Sequence, residues 1–508
     1  MESSKFPQPF TPKMVKGIKG FSMCSFLIGL EGWRRGLKLK YYGDIHQYSD
    51  IITKSRKPFG RSYSFEYKDK IHYFNQSRGD LVSNEAVTIA QSKQKTKKHL
   101  ERHSIPVLPS IEFTREHTDE EIVMMSQQIG FPLIIKPTYG TLSKGVVLNI
   151  DSESELAASL KHVRGKLGYK NVIVERYFEG EDIRLYVVDG IVVAALRRVP
   201  AKVTGDGTST IKQLIDQKNK SRKSNPYLAE RLIKMDDEVH SVLNKNDYDL
   251  DTVLEAGNTT LVKNKSTMNQ GVDLYDITDE IDDNIKELAV ITLKSLPNIP
   301  HGSIDMLYNG SEAIILEVNP SANISMHMFP TEGKPRNIGA YLMDYYFPET
   351  IARANMHENM YFDLLDIVKI LKRNYTNYVE VKALPNSPIY ANQFIVSGKL
   401  QNTGYQNWVK RQAVLQNIHG FVKNRNNGNV EIVVASHDLQ RLKDFQHTCS
   451  KGTEKAKVND LKSVDWIKEI KMGFEIIPES KKRKKAEKPS VKKDNNVTFV
   501  QKIKKLLK

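Results

Sequence analysis

The residues best suited to chemistry lie in three short stretches. The first, PLIIKPTYGTLSKGVVL (132–148), ends an apolar run at Lys136-Pro137, crosses a loop of small residues and enters a second apolar run. A Walker A phosphate loop requires a lysine directly after a glycine and a helix to follow. Gly140 and Gly145 bracket TLSK here, but Val146 and Val147 follow and lead into a strand, which excludes that reading. The stretch is either an ordinary hairpin with a surface-reaching lysine or a lid over phosphates with Lys136 as a point charge. In the second stretch, VERYFEGEDIRLYVV, Glu175 ends one strand and Asp182 begins the next after a turn at Gly180. Such carboxylates either flank a turn at the surface or accept bonds from an adenine amine and ribose hydroxyls. The third, SIDMLYNGSEAIILEVNPSAN, is a hairpin turning at Asn309-Gly310. Glu317 and Asn319 are two apart and share a strand face, and Asp305 can pair near them. Two carboxylates and an amide oxygen suit magnesium that also contacts phosphates. Without a cation the acids would repel.

The elements that must hold these groups follow from periodicity. RGDLVSNEAVTIAQSKQKTKKHLERHSIPVLPS reads as one helix, capped near Ser83 or Asn84, between two loops. TDEEIVMMSQQIG and DSESELAASLKHVRGKL read as helices, PLIIKP, VVLNI and NVIVERYF as strands, and IRLYVVDGIVVAALRRV as a hairpin turning at Asp189-Gly190. FSMCSFLIGL follows Lys13, Lys16 and Lys19 but is too short to span a bilayer, and EGWRRG stands where a cleavage site would be. It reads as a buried helix, Ser25 to Arg35, feeding a strand at LKLKYY. The polar stretch 216–252 reads as helical insertions or mobile cover, and a helix in ETIARANMHENMYFDLLDIVKILKRNY closes the region. After a linker, KALPNSP, come strand (IYANQFIVSGKL), helix (NWVKRQAVLQNI), strands HGFVKN and NVEIVVAS, helix (DLQRLKDFQHTCSKG) and a strand near VDWIKEIKMGFEIIP. That order is the ferredoxin-like βαββαβ pattern.

Composition bounds the function. A chain of 508 residues exceeds one core. Of its net charge of +16, twelve Lys/Arg against two Asp/Glu between Lys481 and Lys508 supply ten, so the body is near neutral and no nucleic-acid partner is expected. Two cysteines, Cys24 and Cys449, make neither a disulfide framework nor a zinc site, which points to a reducing, cytoplasmic setting.

From about Asn84 to Pro348 the chain resembles an ATP-grasp carboxylate–amine ligase, most nearly the ATP-grasp part of cyanophycin synthetases and of bifunctional glutamate–cysteine ligase/glutathione synthetases. SNEAVTIAQSKQKTKKHL, GFPLIIKPTYGTLSKGV, VIVERYFEGEDIRLYVV, RRVPAKVTGDGTSTIKQLI, GSIDML and LEVNPSANISMHMFPTEGKPRN carry the likeness, in the family's order. The resemblance implies an α+β chain: a pre-ATP-grasp region (1–83), an ATP-grasp domain (84–381), a small ferredoxin-like domain (389–478) and a basic tail (479–508). It implies that Lys93 and Lys136 hold ATP phosphates, under a loop of Tyr139, Gly140, Thr141, Ser143, Lys144 and Gly145. Glu175 would meet adenine and Asp182 the ribose; Asp305, Glu317 and Asn319 would hold Mg²⁺ (or Mn²⁺). Arg184 and Arg198 would face the γ-phosphate or the acceptor carboxylate. The implied chemistry converts an amino acid or peptide carboxylate to an acyl phosphate, which an amine displaces to leave an amide. A homo-oligomer is the expected assembly. Ser303 departs from the arginine that D-alanine ligases carry two residues before the magnesium aspartate. No Mur-ligase-like half is recognised, so polymerisation is not implied, and the first eighty residues do not resemble a glutamate–cysteine ligase. The competing reading is an ATP-binding pseudoenzyme or scaffold.

FIVSGKLQNTGYQNWVKRQAV…HGFVKNRNNGNVEIVV resembles an acylphosphatase. The water-orienting asparagine of that family is matched by Asn424, but Gln406 stands at the catalytic arginine and Asn402 at a loop glycine. Glutamine offers phosphate no charged fork, so this unit is expected to be a weak acylphosphatase helped by Lys399 or Arg411, a docking module for acyl phosphates, or a structural appendage. In FVQKIKKLLK, Phe499, Val500, Ile503, Leu506 and Leu507 share a helical face opposite lysines, which reads either as an anchor on anionic lipid at the inner face of a membrane or as a disordered solubilising tail with a fraying end. Anionic liposomes are expected to retain the full chain and release one lacking residues 481–508; equal retention of both would remove the idea.

Overall fold

A computed structural model describes residues 10–53, 59–138, 145–264 and 271–478. The basic tail and the lid residues Tyr139, Gly140, Thr141, Ser143 and Lys144 lie outside the described residues. The chain forms two units, one of residues up to Tyr390 with Ile467–Met472, the other of Ala391–Trp466 with the residues from Gly473. No helix of the described residues is long and apolar enough to cross a membrane.

In the first unit the N-terminal helix is Phe21–Arg34 and not the shorter Ser25 to Arg35. Gly20, at φ 56°, ends the preceding turn, and the helix is buried continuously from Met23. It packs on an antiparallel sheet ordered Tyr378–Val381, Lys38–Tyr42, Ser62–Tyr67, Lys70–Asn75, Arg78–Gly79. Trp33 meets Phe362 edge-on at 5.4 Å and donates to the Lys382 carbonyl, so the stretch read as a linker is held to this unit at its start. The expected single helix after Ser83 is two, Asn84–Ala90 and Lys93–Arg102. Ser92 interrupts it by capping the second, its hydroxyl accepting from the Lys95 amide, as serine does at helix starts.

A four-stranded sheet runs Ser110–Phe113, Val172–Arg176, Leu133–Pro137, Val147–Ile150. Leu133, Ile135, Val172 and Val174 bury one face with Ile122 and Leu156 of the helices Asp119–Ser126 and Glu153–Leu160. A five-stranded sheet runs Asp273–Asp276, Ile191–Val199, Glu181–Val188, His301–Tyr308, Ala313–Asn319. Its first hairpin turns at Asp189 and Gly190, both at positive φ. One face carries Ile183, Leu185, Val187, Ala195, Ile304 and Met306 into a core shared with the helix Asp283–Ser295. The stretch 216–252 supplies most of one ordered helix, Ile211–Ser224, and all of another, Asp237–Asn244, over a core of their own.

The second unit is a sheet ordered Lys457–Asp465, Tyr390–Lys399, Val430–Ser436, His419–Asn424, Phe474–Ile476, with helices Tyr405–Leu415 and Leu439–Lys451. The last strand of the βαββαβ pattern is therefore Lys457–Asp465, upstream of the place expected, and Phe474–Ile476 is an additional strand parallel to His419–Asn424. The polar composition of Lys457–Asp465 hides it, because most of its residues face solvent. Leu185 is fully buried beneath the five-stranded sheet. Leu185→Ala is expected to cost about 2–5 kcal/mol of stability, measured by denaturant unfolding.

Candidate functional site

The face of the five-stranded sheet opposite its core is charged. Strand register sets Arg184 opposite Asp305, and Asp305 opposite Glu317, so a guanidinium and two carboxylates form one row across three strands. Ser303 and Asn319 pair in the next row, and Arg198 pairs with Asp182 at the other end. Arg184 grips Asp305 with two prongs, Nε to Oδ1 at 2.5 Å and Nη2 to Oδ2 at 2.6 Å. Arg198 donates to Asp182 from Nε at 3.0 Å and lies 3.2 Å from Asp305 Oδ2. Burial opposes charge on Asp305, yet Arg184 and Arg198 together hold its carboxyl below the usual range. At Asp182 burial prevails over Arg198, and the carboxyl is raised.

The donors fit a hard dication. Asp305, Glu317 and Asn319 share one face and offer only oxygen from acids or an amide. Among the described residues no group of three or more His, Cys, Asp or Glu side chains could hold a metal ion; this set has two acids and an amide. Neutral groups lie beside the arginines. The short helix Ser325–Met328 sets Met326 Sδ 3.6 Å from Arg184 Nη1. His327 is buried, neither ring nitrogen has a hydrogen-bond partner among the described residues, and its ring meets that of Tyr186 edge-on. Burial, then Arg184, pushes its pKa down to about 3. The buried Ser303 hydroxyl also has no partner among the described residues.

The four-stranded sheet brings a second set together. Lys136 and Glu175 share the face opposite the apolar core and form an ion pair. Gly145, at φ 76°, begins the described chain after the lid; a Cβ there would lie 2.9 Å from the Pro137 ring. Lys93 is exposed at the first position of its helix and is not brought to this set. Lys97, one turn on, is half-buried and donates to Ser110. Burial lowers its ammonium below the ordinary value, with Glu175 and Glu101 opposing and Lys136 adding to the effect. Sequence reasoning missed Lys97, although its i, i+4 spacing from Lys93 puts both on one helix face.

Missed too was Tyr227, a buried residue of the 216–252 stretch whose ring carries Arg231 at 4.0 Å. Its hydroxyl is pushed up by burial, with Arg231, Arg184 and Arg198 opposing. In the second unit Asn402 keeps the left-handed φ of 60° that a glycine would supply there, and Gly404 opens the helix bearing Gln406. Asn424 ends its strand, and Lys399 and Arg411 are exposed.

Comparison with known proteins matches residues 90–220 to the RimK-like ATP-grasp domain and residues 392–476 to acylphosphatase. The cyanophycin synthetase of Synechocystis sp. is 30% identical over 271 residues, 52% of this chain and 31% of that protein. The glutathione biosynthesis bifunctional protein GshAB of Listeria innocua is 26% identical over 348 residues, 65% of this chain and 42% of that protein. The chain thus spans less than half the length of these relatives. A bifunctional glutathione synthetase structure from Pasteurella multocida aligns at 24% identity with TM-score 0.48, covering 57% of this chain and 41% of that one.

His301 lies between the hydroxyls of Tyr186 and Tyr346, fully buried, and burial with Arg78 pushes its pKa down to about 3. Unfolded, it titrates near 6.5. A folded pKa below the unfolded one means that its contribution is full above about pH 6.5 and is lost as pH falls toward 3. Thermal midpoints are expected to drop across that window, and less steeply in His301→Gln.

Proposed function

We propose that this chain, which carries a RimK-like ATP-grasp domain and an acylphosphatase domain, is a cytoplasmic ATP-dependent ligase that joins an amino acid or peptide carboxylate to an amine. The observation that carries the reading is the row Arg184–Asp305–Glu317 on one sheet face within a chain matched to that domain. Asp305, Glu317 and Asn319 would hold a divalent cation, which when bound neutralises phosphate charge. Lys97 and Lys136 reach the α- and β-phosphates, Glu175 takes the adenine edge and Asp182 the ribose. The substrate carboxylate attacks the γ-phosphorus and ADP leaves. An amine then attacks the acyl carbon, phosphate departs, and the nitrogen gives up a proton to complete the amide.

Little covalent work falls to the protein: it positions reactants and spreads charge over Lys, Arg and the cation. Arg184 and Arg198 stabilise the transferring phosphoryl group. Support for a small amino acid or peptide substrate comes from what the relatives' names state they make.

The test is ADP release over amino acids, dipeptides and amines, with product masses read by mass spectrometry. Lys97→Met, Lys136→Met and Glu317→Ala are each expected to lower turnover about 100-fold, the scale for losing one preorganised charge-stabilising group. Lys93→Met should change it about two-fold or less, since a solvent-exposed charge is worth little. Full turnover in the Lys136 or Glu317 variant would sink the assignment.

A further inference from the structure

Two guanidiniums stand where a dication would have to come. Arg184 engages both oxygens of Asp305, and Arg198 adds a third contact while holding Asp182. The side chains of Arg184 and Arg198 are 11% and 10% exposed, so solvent ions screen them little. A bare dication approaching Asp305 meets two fixed positive charges within a few ångströms, and the carboxylate it seeks is already neutralised. Phosphate reverses the balance, because a guanidinium fork fits phosphate oxygens as well as carboxylate. Met326 and His327 beside them carry no negative charge, and Glu317, across from Asp305, is the further carboxylate that acts on Arg184, so two guanidiniums face two carboxylates before any cation arrives.

We infer that Arg184 and Arg198 guard the metal-ligating carboxylate: they exclude a free divalent cation and give way only to one arriving with the phosphates of a nucleotide. The arginines exchange one anionic partner for another, and no covalent bond changes. Ordered entry follows, since the cation and the phosphates each remove what opposes the other. The inference rests on the ligase reading and adds to Arg184 and Arg198 a positioning role before chemistry begins.

Mn²⁺ binding to the full chain, followed by electron paramagnetic resonance with no nucleotide, with ADP and with ATP, tests it without reference to turnover. Arg198→Gln is expected to bind free Mn²⁺ about ten-fold tighter than the unaltered protein, because one opposing charge is gone. Arg198→Lys, which keeps the charge, should bind it as weakly as the unaltered protein. The advantage of ATP over ADP in recruiting Mn²⁺ should shrink in the glutamine variant. Thermal midpoints of both variants establish that they are folded. Free Mn²⁺ binding no tighter in Arg198→Gln overturns the guard; weaker binding in both variants makes Arg198 a structural counter-ion and overturns it equally. Failure of the unaltered protein to bind Mn²⁺ even with ATP overturns instead the ligase reading beneath it.

Discussion

The charged face of the five-stranded sheet depends on keeping opposite charges paired where little water reaches them. Asp305 is 5% exposed and Arg184 9%, deep enough that either alone would be costly to ionise. Each is charged because the other is, and the strand pairing that sets them opposite fixes the fork without a flexible linker. The apolar face beneath makes that pairing rigid: Ile183 and Leu185 flank Arg184, and Ile304 and Met306 flank Asp305, all within one core. Breaking one member of such a pair leaves an uncompensated charge, whereas losing both together is far less disruptive. The same logic in smaller form recurs at Asp273, buried between Lys218 and Arg222.

Much of this was legible in the sequence because both hairpins announce themselves. Asp189-Gly190 and Asn309-Gly310 are turn dipeptides, and once they are placed the alternation I-R-L-Y-V and S-I-D-M puts arginine and aspartate on one face. The lysines were less readable. SKQKTKKHL offers four, and choosing among them requires knowing that Ser92 starts the helix and that only the second turn is partly buried. His327 and Tyr227 escaped for another reason. They sit in irregular or inserted segments whose placement depends on tertiary contacts, such as Asn225 donating to the carbonyls of Phe329 and Pro330. In the second unit, strand Lys457–Asp465 was misplaced because a solvent-facing edge strand has no apolar alternation to betray it.

Within the second unit the substitutions at Gln406 and Asn402 act differently. Asn402 preserves backbone shape, since asparagine tolerates the left-handed region better than most residues. Gln406 changes charge. The acylphosphatase likeness would put a charged fork at position 406, and glutamine offers none.

The strand Ala313–Asn319 contains a register shift between Ile315 and Glu317, where Asp305 pairs with Glu317 but Met306 pairs with Ile315. Positions 313, 315, 317 and 319 would all lie on one side of a regular strand. With Leu316 as the extra residue, Ala313 and Ile315 enter the core while Glu317 turns to the side of Asp305. The strand is thus out of phase with itself, and its two halves answer to different requirements. A change of register confined to the hairpin tip would end at this bulge and leave Glu317 opposite Asp305.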